Sequence, residues 1–352
     1  MACQKRKPGG EVARAEGEVM PAMAAKRVLL LGAGFSRNWG GWLASEAFEY
    51  LLGNPELDRG GLRDILWRNK RNGGFEAALA ELQTEAEQRG QSSAREHLII
   101  LESAILEMFA DMDKGFASLV TFEWQNQRGY LVRDFLVRFD AIFTLNQDLL
   151  MERHYLNGSV ALSSSRQWGG WQIPGMKDVP GEGLGNPAIS KRSPMNSTAF
   201  AVEKNLQPYF KLHGSSNWVD ERTGRPVFIM GGNKVSGIKQ HPILTWNHEC
   251  FTKYLSGPDT RLMIIGYSFG DEHVNRAVVS AGKGGNLRIF VIDPLGVDAA
   301  DKNRDIAMYM PGQLFTELQP WLLGASRRSL RDIFGTDRVE HGKVMRFLGS
   351  VS

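Results

Sequence analysis

Side chains that can bind and activate a small molecule follow two short apolar runs of the sequence. Asn146 and Asp148 lie within residues 144–148 (TLNQD), and His213 lies within residues 212–215 (LHGS). Asparagine offers a donor and an acceptor, aspartate offers an acceptor, and histidine can take a proton near neutral pH. These groups suit ribose hydroxyls, an amide or an attacking water. The alternatives are an Asx turn with Asp148 capping the next helix, and a purely structural His213.

Two glycine-rich turns and one acidic strand end indicate a dinucleotide site. The turns are GAGFS (32–36) and GYSFGD (266–271), and their candidate ligand-binding residues are Gly32, Ala33, Gly34, Ser36, Gly266 and Ser268. Glycines let the backbone approach a phosphate, which amide N–H groups and a helix start can then hold. Asp293 could accept both hydroxyls of an adenosine ribose and favour NAD over NADP. The alternative is a set of tight turns, with Asp271 as a helix N-cap.

These candidates all follow runs that are predicted to be strands of a buried parallel sheet. The runs are residues 27–31, 139–144, 209–212, 261–265 and 287–292. Continuous apolar runs are typical of strands covered on both faces. Ligands bind at the carboxyl ends of such strands, so the candidates should share one edge. The sequence therefore predicts an α/β fold with a Rossmann-like, doubly wound parallel sheet.

The remaining segments predict additions to one NAD-binding catalytic domain over residues 26–310. Apolar spacings of three and four residues predict a helical insert over 54–138. Residues 157–207 are rich in Gly, Ser, Pro and Asn, which indicates an irregular loop region near the site. We expect a disordered tail over 1–25, with Met20 or Met23 as alternative starts to Met1, and a C-terminal helical tail over 311–352.

Composition narrows the class of protein. The chain has 352 residues and a formal net charge of +3, without a clustered basic face, so nucleic-acid binding has little support. Two cysteines exclude a disulfide scaffold and favour a reduced, cytoplasmic setting. No apolar run approaches ~20 residues, and the first residues lack a signal-peptide core, so neither a membrane span nor secretion is expected.

Taken together, GAGFS, TLNQD, LHGS, GYSFGD and VIDP resemble the sirtuin-like superfamily in order and spacing, over about residues 27–298. They look most like its bacterial branch associated with anti-phage defence. The resemblance implies hydrolysis of NAD⁺ to nicotinamide and ADP-ribose. It implies that Gly32, Gly34 and Ser36 contact the pyrophosphate and that Ser268 contacts a phosphate or ribose. It implies that Asn146 orients the nicotinamide ribose and the attacking water, and that His213 is the general base. Asp148 would contact the nicotinamide carboxamide, and Asp293 the adenosine ribose.

Two departures separate this chain from the protein deacylases of that superfamily. Leu145 stands where a glutamine usually precedes the asparagine. The four-cysteine zinc ribbon is also missing, since Cys250 is the only cysteine between LHGS and GYSFGD. His241, His248 and Cys250 could imitate only a partial site, so we expect no zinc. The alternatives to a hydrolase are an NAD-dependent deacylase and a non-catalytic NAD or ADP-ribose sensor that scaffolds an assembly.

Depletion of NAD⁺ would kill the cell, so we expect the activity to be held in check until a partner or an assembly state releases it. The resemblance implies a partner in trans, such as a HerA-type hexameric ATPase or a short Argonaute. A homo-oligomer is also expected, because apolar residues surround one insert helix: Leu98, Ile99, Ile100, Leu101, Ile105, Leu106, Met108 and Phe109. The alternative is that the insert helices cover one another.

Overall fold

Helices alternate with short strands along most of the chain. The computed structural model describes residues 25–88, 92–156, 168–179, 189–232, 234–301 and 312–349. The strands are β1 (Lys26–Leu31), β2 (Ala141–Thr144), β3 (Gly170–Gln172), β4 (Met176–Asp178), β5 (Arg192–Pro194), β6 (Leu206–Lys211), β7 (Gly214–Val219), β8 (Pro226–Phe228), β9 (Thr260–Ile265), β10 (Leu287–Ile292) and β11 (Leu322–Ser326). The helices are α1 (Ala33–Arg37), α2 (Ala44–Leu52), α3 (Leu62–Asn69), α4 (Gly74–Glu87), α5 (Ser92–Ala117), α6 (Val132–Leu136), α7 (Leu150–His154), α8 (Lys234–Gln240), α9 (Pro242–Leu255), α10 (Glu272–Gly284), α11 (Gln313–Leu318), α12 (Leu330–Gly335) and α13 (Arg338–Phe347).

The central sheet is entirely parallel and has seven strands in the order β11-β10-β9-β1-β2-β6-β3. This confirms the predicted Rossmann-like α/β fold, and the five predicted strands are β1, β2, β6, β9 and β10. Without β3, the order matches the 3-2-1-4-5-6 arrangement of dinucleotide-binding sheets. The chain builds outward from β1 to β2 and β6, then returns to place β9 on the other side. The border between β1 and β9 is therefore the topological switch point.

The apolar side chains of β1 pack into two hydrophobic cores, one on each face of the sheet. Leu29 and Leu31 pack into one buried cluster, whereas Val28 and Leu30 pack into the other. All four side chains are fully buried. Because successive side chains of a strand point to opposite faces, a strand covered on both faces must be apolar at every position.

The helical insert covers most of its own apolar surface. Residues 54–138 contain α3, α4, α5 and α6. On α5, Leu101, Ile105 and Met108 are buried against the larger core, while Ile99 is 64% exposed. The structure therefore favours the alternative in which insert helices cover one another, and the homo-oligomer stays a prediction. Within the described ranges, no helix has the length and apolar character needed to cross a membrane.

Two segments contain strands that the sequence did not predict. The described parts of 157–207 include β3, which extends the central sheet beside β6, and β4 and β5, which form a second sheet in the order β4-β5-β7-β8. Residues 311–352 include β11, which pairs with β10, so this tail is not purely helical. Strands of three to five residues are too short to show a clear alternation of apolar and polar positions. The predicted disordered tail lies outside the described residues.

Candidate functional site

Neighbouring strands bring the predicted site residues to one edge of the sheet. The amide of Leu145 donates to the Leu31 carbonyl at 2.9 Å, and the amide of Leu212 donates to the Thr144 carbonyl at 2.8 Å. The residues that follow β1, β2 and β6 therefore lie in sequence along this edge. β9 and β10 end at the same edge on the other side of β1, and they lead into Gly266 and Asp293.

The glycine turns are in direct contact with each other across the switch point. The amide of Gly32 donates to the Ile265 carbonyl at 3.0 Å, and that of Gly34 donates to the Gly266 carbonyl at 2.9 Å. A Cβ atom at Gly32 would lie 2.5 Å from the Gly266 oxygen. The Gly32 and Gly34 N–H groups thus continue the contact between β1 and β9, and the expected position of these glycines against a pyrophosphate stays a prediction. Ala33 is exposed at the tip of the turn.

Asn146 is held in one orientation by the turn after β1. Its Nδ2 donates to the Gly32 carbonyl and to the Ser36 hydroxyl, both at 3.0 Å. A carbonyl oxygen can only accept, so the amide nitrogen must face this turn and Oδ1 is the atom that can accept from a ligand. Ser36 is only 2% exposed. Ser36 therefore positions Asn146, and its expected contact with a pyrophosphate stays a prediction.

Asp148 takes part in the same network and also serves the next helix. Its Oδ1 accepts from the Leu150 amide at 3.0 Å, which forms the Asx turn of the alternative interpretation, whereas the N-cap position of α7 is Leu149. Burial raises the pKa of the Asp148 carboxyl, while the Lys211 charge and hydrogen bonds from Leu150 and Ser36 oppose that rise. The Asp148 carboxylate therefore interacts with Leu150, Ser36 and Lys211 of the protein itself.

A buried ion pair that the sequence analysis missed lies beneath this network. Nζ of Lys211 donates to the Asp148 carbonyl and to a Glu152 carboxylate oxygen, both at 2.6 Å. The Lys211 and Glu152 side chains are 0% exposed. The sequence signal for this pair was the lysine inside the apolar strand β6, because a buried lysine needs a buried partner. The pair fixes the carboxyl ends of β2 and β6 relative to α7.

His213 is buried directly after β6 and is 3% exposed. Its carbonyl accepts from the Ile229 amide at 2.8 Å. The next residue, Gly214, has a φ of +77°, and a Cβ atom there would lie 2.1 Å from the Val227 oxygen. Burial lowers the pKa of His213 well below its ordinary value. The imidazole is therefore neutral at pH 7 and able to accept a proton.

Two further histidines converge on His213. Its Nε2 lies 3.1 Å from Nε2 of His273, and the ligand nitrogens of His213, His248 and His273 all lie within 4.8 Å of one another. Nε2 of His248 donates to the Leu212 carbonyl at 3.0 Å. The partial set considered from the sequence was wrong in composition: His248 joins His213 and His273, whereas Cys250 packs in the apolar core. His273 was missed because it stands in the first turn of α10, two residues after a motif that was assigned to a turn.

A charged chain connects this histidine cluster to the helical insert. Nζ of Lys234 lies 2.9 Å from carboxylate oxygens of both Glu76, on α4, and Asp271. Asp271 occupies the N-cap position of α10, as expected, but its side chain caps no helix amide. Burial would raise the pKa of the Asp271 carboxyl, but the Lys234 ammonium and its hydrogen bond oppose this and keep the pKa below its ordinary value. No sequence pattern pointed to Lys234.

The turn after β9 has an unusual backbone conformation. Phe269 has a φ of +57° and is the one non-glycine residue with positive φ among the described residues. Asn275 stabilises it by donating from Nδ2 to the Phe269 carbonyl at 2.7 Å, and Tyr267 donates to Asn275 Oδ1 at 3.0 Å. Such strain is retained where the surroundings enforce it, often at functional sites. The neighbouring Ser268 is exposed at this edge.

Asp293 lies where β10 ends, beside an open cleft. Its Oδ1 accepts from the Leu295 amide at 2.9 Å, so part of its role is to shape the turn. The cleft has a volume of about 550 Å³ and is lined by Gly296, Val297, Ala325, Arg327, Arg328, Glu340 and Lys343. Three of these side chains are cationic and one is anionic, although nearby carboxylates pair with the cations. The cleft lies within the size range of nucleotide and cofactor sites.

No protein-family model matches the chain, and no curated protein matches it. The resemblance to the sirtuin-like superfamily therefore remains a prediction from the five motifs. What the site can do chemically depends on the geometry of its own residues.

Proposed function

We propose that this protein is a sirtuin-like NAD⁺ hydrolase that cleaves the bond between nicotinamide and ribose. One observation carries the proposal: Asn146 and His213 follow adjacent parallel strands at the carboxyl edge, beside the switch point of a sheet with dinucleotide-binding strand order. Ligands of open α/β sheets bind at this place. The fold alone does not define the reaction, so the proposal depends on the side chains at that edge.

The side chains suit a dissociative hydrolysis. The C1′–N bond breaks, its electron pair leaves with neutral nicotinamide, and the ribose becomes cation-like. Oδ1 of Asn146 faces away from the Gly32 turn, so it can accept from a water or a ribose hydroxyl. The water oxygen bonds to C1′ and its proton passes to neutral His213, which gives ADP-ribose. Positioning the water and accepting its proton are the two contributions of the protein.

The rest of the cofactor would extend along the same edge. We expect the exposed Ser268 to contact a phosphate or ribose, and Asp293, at the next strand end, to contact the adenosine ribose. The cleft after β10 and β11 carries Arg327 and Lys343, whose charges suit phosphate groups. A carboxylate at Asp293 would repel a 2′-phosphate, so NAD⁺ should be cleaved faster than NADP⁺. Equal rates for the two dinucleotides would contradict the placement of Asp293.

In the cell, the proposed role is cytoplasmic NAD⁺ depletion in anti-phage defence. A HerA-type ATPase or a short Argonaute acting in trans, together with self-association, would release the activity of the enzyme on infection. These partners rest on the motif resemblance. Such a partner could control the activity by acting on the hydrogen-bond network that orients Asn146.

The direct test is mass measurement of the products formed from NAD⁺ by the full chain, alone and with the protein encoded beside it. Nicotinamide and ADP-ribose should appear in equal amounts. Asn146→Ala should abolish the reaction without unfolding the protein, whereas Asn72→Ala, at an exposed asparagine outside the site, should leave it unchanged. A folded Asn146→Ala protein with full activity would remove this residue from the mechanism.

Two alternative functions give different results in the same assay. A deacylase would release nicotinamide only when an acyl-lysine peptide is present. A sensor scaffold would bind NAD⁺ or ADP-ribose and release no nicotinamide under any condition. The Asn146 geometry favours the hydrolase, because an oriented amide oxygen at the strand end suits a water nucleophile.

A further inference from the structure

The histidine cluster has the composition and spacing of a metal site. Its three members come from three elements: His213 follows β6, His248 lies on α9, and His273 lies in the first turn of α10. Three of the seven histidines of the chain thus meet at one point. Neutral imidazole is a preferred ligand of zinc, cobalt, nickel and copper.

The distances fit a tetrahedral ion with little rearrangement. A Zn–N distance of about 2.0–2.1 Å places two ligand nitrogens roughly 3.4 Å apart. The two Nε2 atoms of His213 and His273 are 3.1 Å apart, and the ligand nitrogens of all three rings lie within 4.8 Å of one another. A small rotation of the rings would therefore bring three nitrogens onto one ion. Among the described residues the group has three members, which leaves a coordination position for water or a ligand.

The surroundings hold one ring in a form that can ligate a metal. The Leu212 carbonyl can only accept, so Nε2 of His248 carries the hydrogen of their 3.0 Å bond and Nδ1 keeps its lone pair. A backbone carbonyl that accepts from the non-ligating nitrogen is a common support for metal-binding histidines. His213 is buried, while His248 and His273 are half-buried, so an ion can enter from their side.

The charges next to the cluster favour a cation. Lys234 is the cationic neighbour, but its ammonium lies between the carboxylates of Glu76 and Asp271, each at 2.9 Å. This group of three carries a net charge of −1. A divalent ion beside it would thus be attracted, and three neutral histidines add no opposing charge.

We propose that His213, His248 and His273 bind a divalent transition-metal ion, with Zn²⁺ as the preferred physiological ion. This site differs from a cysteine zinc ribbon in ligands and place, since it lies at the sheet edge beside the residue assigned as the base. An ion there would occupy a lone pair of His213. If the proposed hydrolase is correct, bound Zn²⁺ should therefore suppress NAD⁺ cleavage.

The test of the site uses cobalt as a coloured substitute for zinc. The chelator-treated full chain is titrated with Co²⁺, and visible absorption of a tetrahedral or five-coordinate ion is recorded. One Co²⁺ should bind per chain and Zn²⁺ should displace it. His248→Gln and His273→Gln should each weaken binding at least ~10-fold. His97→Gln, His241→Gln and Cys250→Ser should leave binding unchanged, since these residues lie outside the cluster.

Circular dichroism and the thermal midpoint establish that each variant folds. Absence of Co²⁺ binding to the folded wild-type chain would overturn the site, as would unchanged affinity in both glutamine variants. This readout needs no NAD⁺, so it is independent of the proposed function. Where the chain does cleave NAD⁺, cleavage that is unchanged by saturating Zn²⁺ would overturn the suppression while the cobalt result still decides the site.

Discussion

Two groups of buried polar side chains flank the end of β6 and differ in how they are satisfied. In the first, Nζ of Lys211 donates to a Glu152 carboxylate oxygen and to the Asp148 carbonyl. Each donor there faces an acceptor. In the second, three imidazoles of the same chemical kind face one another, and two Nε2 atoms lie 3.1 Å apart. We call these the matched group and the histidine cluster.

The difference indicates which group stabilises the fold and which is available to a ligand. Removing one partner of a buried ion pair leaves the other charge buried without a counter-charge, so the matched group contributes to the stability of the fold. The imidazoles of the histidine cluster can share one proton between two nitrogens, which leaves lone pairs for a proton or a metal. Substitutions should therefore cost stability in the first group and binding in the second.

The largest effect is expected from breaking the buried pair of the matched group. Lys211→Met leaves the Glu152 carboxylate buried without its cation, which should cost about 3–5 kcal/mol of unfolding free energy. The double variant Lys211→Met with Glu152→Gln should recover most of that loss, because no buried charge remains. Denaturant unfolding of the three proteins measures both steps. A single variant as stable as wild type would show that the pair does not hold the strands.

The second effect concerns the contact between the two glycine turns, which adjoins the matched group. Gly266 has a φ of +61°, and a Cβ atom there would lie 2.3 Å from the Gly34 carbonyl carbon. Gly266→Ala should cost at least ~3 kcal/mol, from conformational strain plus steric overlap. Gly40→Ala is the matched control, since its φ is +89° and nothing lies within 4 Å of the added Cβ. The control should lose only about 1–2 kcal/mol, from strain alone.

Equal losses in the two alanine variants would show that the glycine turns are not in close contact. Thermal unfolding at one pH is sufficient for this comparison. The comparison of Gly266→Ala with Gly40→Ala tests the backbone contact between the two glycine turns. Because that contact does not involve the histidine cluster, its loss should change stability and leave the cluster intact.

The third effect is a loss of stability in acid that belongs to the histidine cluster. Burial lowers the pKa of His213 well below its ordinary value and that of His248 to about 4. Below about pH 6.5 the unfolded chain binds protons that the folded chain excludes, so stability falls as pH decreases toward these lowered values. The slope should reach up to about 1.4 kcal/mol per pH unit for the buried His213.

Denaturant unfolding of chelator-treated protein between pH 7 and 4 measures this slope. His213→Gln should flatten it, whereas His97→Gln, at a histidine outside the cluster, should not. A slope that is the same in all three proteins would mean that the cluster is not the source of the acid sensitivity.

The smallest effect is expected away from both groups, on α5. Ile99 is 64% exposed, so Ile99→Ser should change the unfolding free energy by less than about 0.5 kcal/mol. Leu101→Ala, at a fully buried neighbour, should cost about 2–5 kcal/mol. Light scattering of the same samples tests the predicted homo-oligomer. Dissociation caused by Ile99→Ser would place the interface on this helix face.

The sequence predicted the sheet well because buried strands carry an unmistakable apolar run. It also placed Asn146 and His213 at the correct edge, since parallel strands end together. It missed β3, β4, β5 and β11, because strands of three to five residues show no clear alternation of apolar and polar positions. Lys211, Lys234 and His273 were missed for a different reason: their partners are 59, 37 and 60 residues away, and no local pattern reveals such pairs.

Gly32 and Gly34 contact Gly266 where the ends of β1 and β9 meet. All three glycines are required by the packing of two backbones, whether or not a dinucleotide binds. A descendant of this protein that had lost catalysis would have to keep them in order to fold. Matching glycine patterns between distant sequences therefore establishes common architecture, and evidence for shared chemistry must come from positions such as Asn146 that folding leaves free to vary.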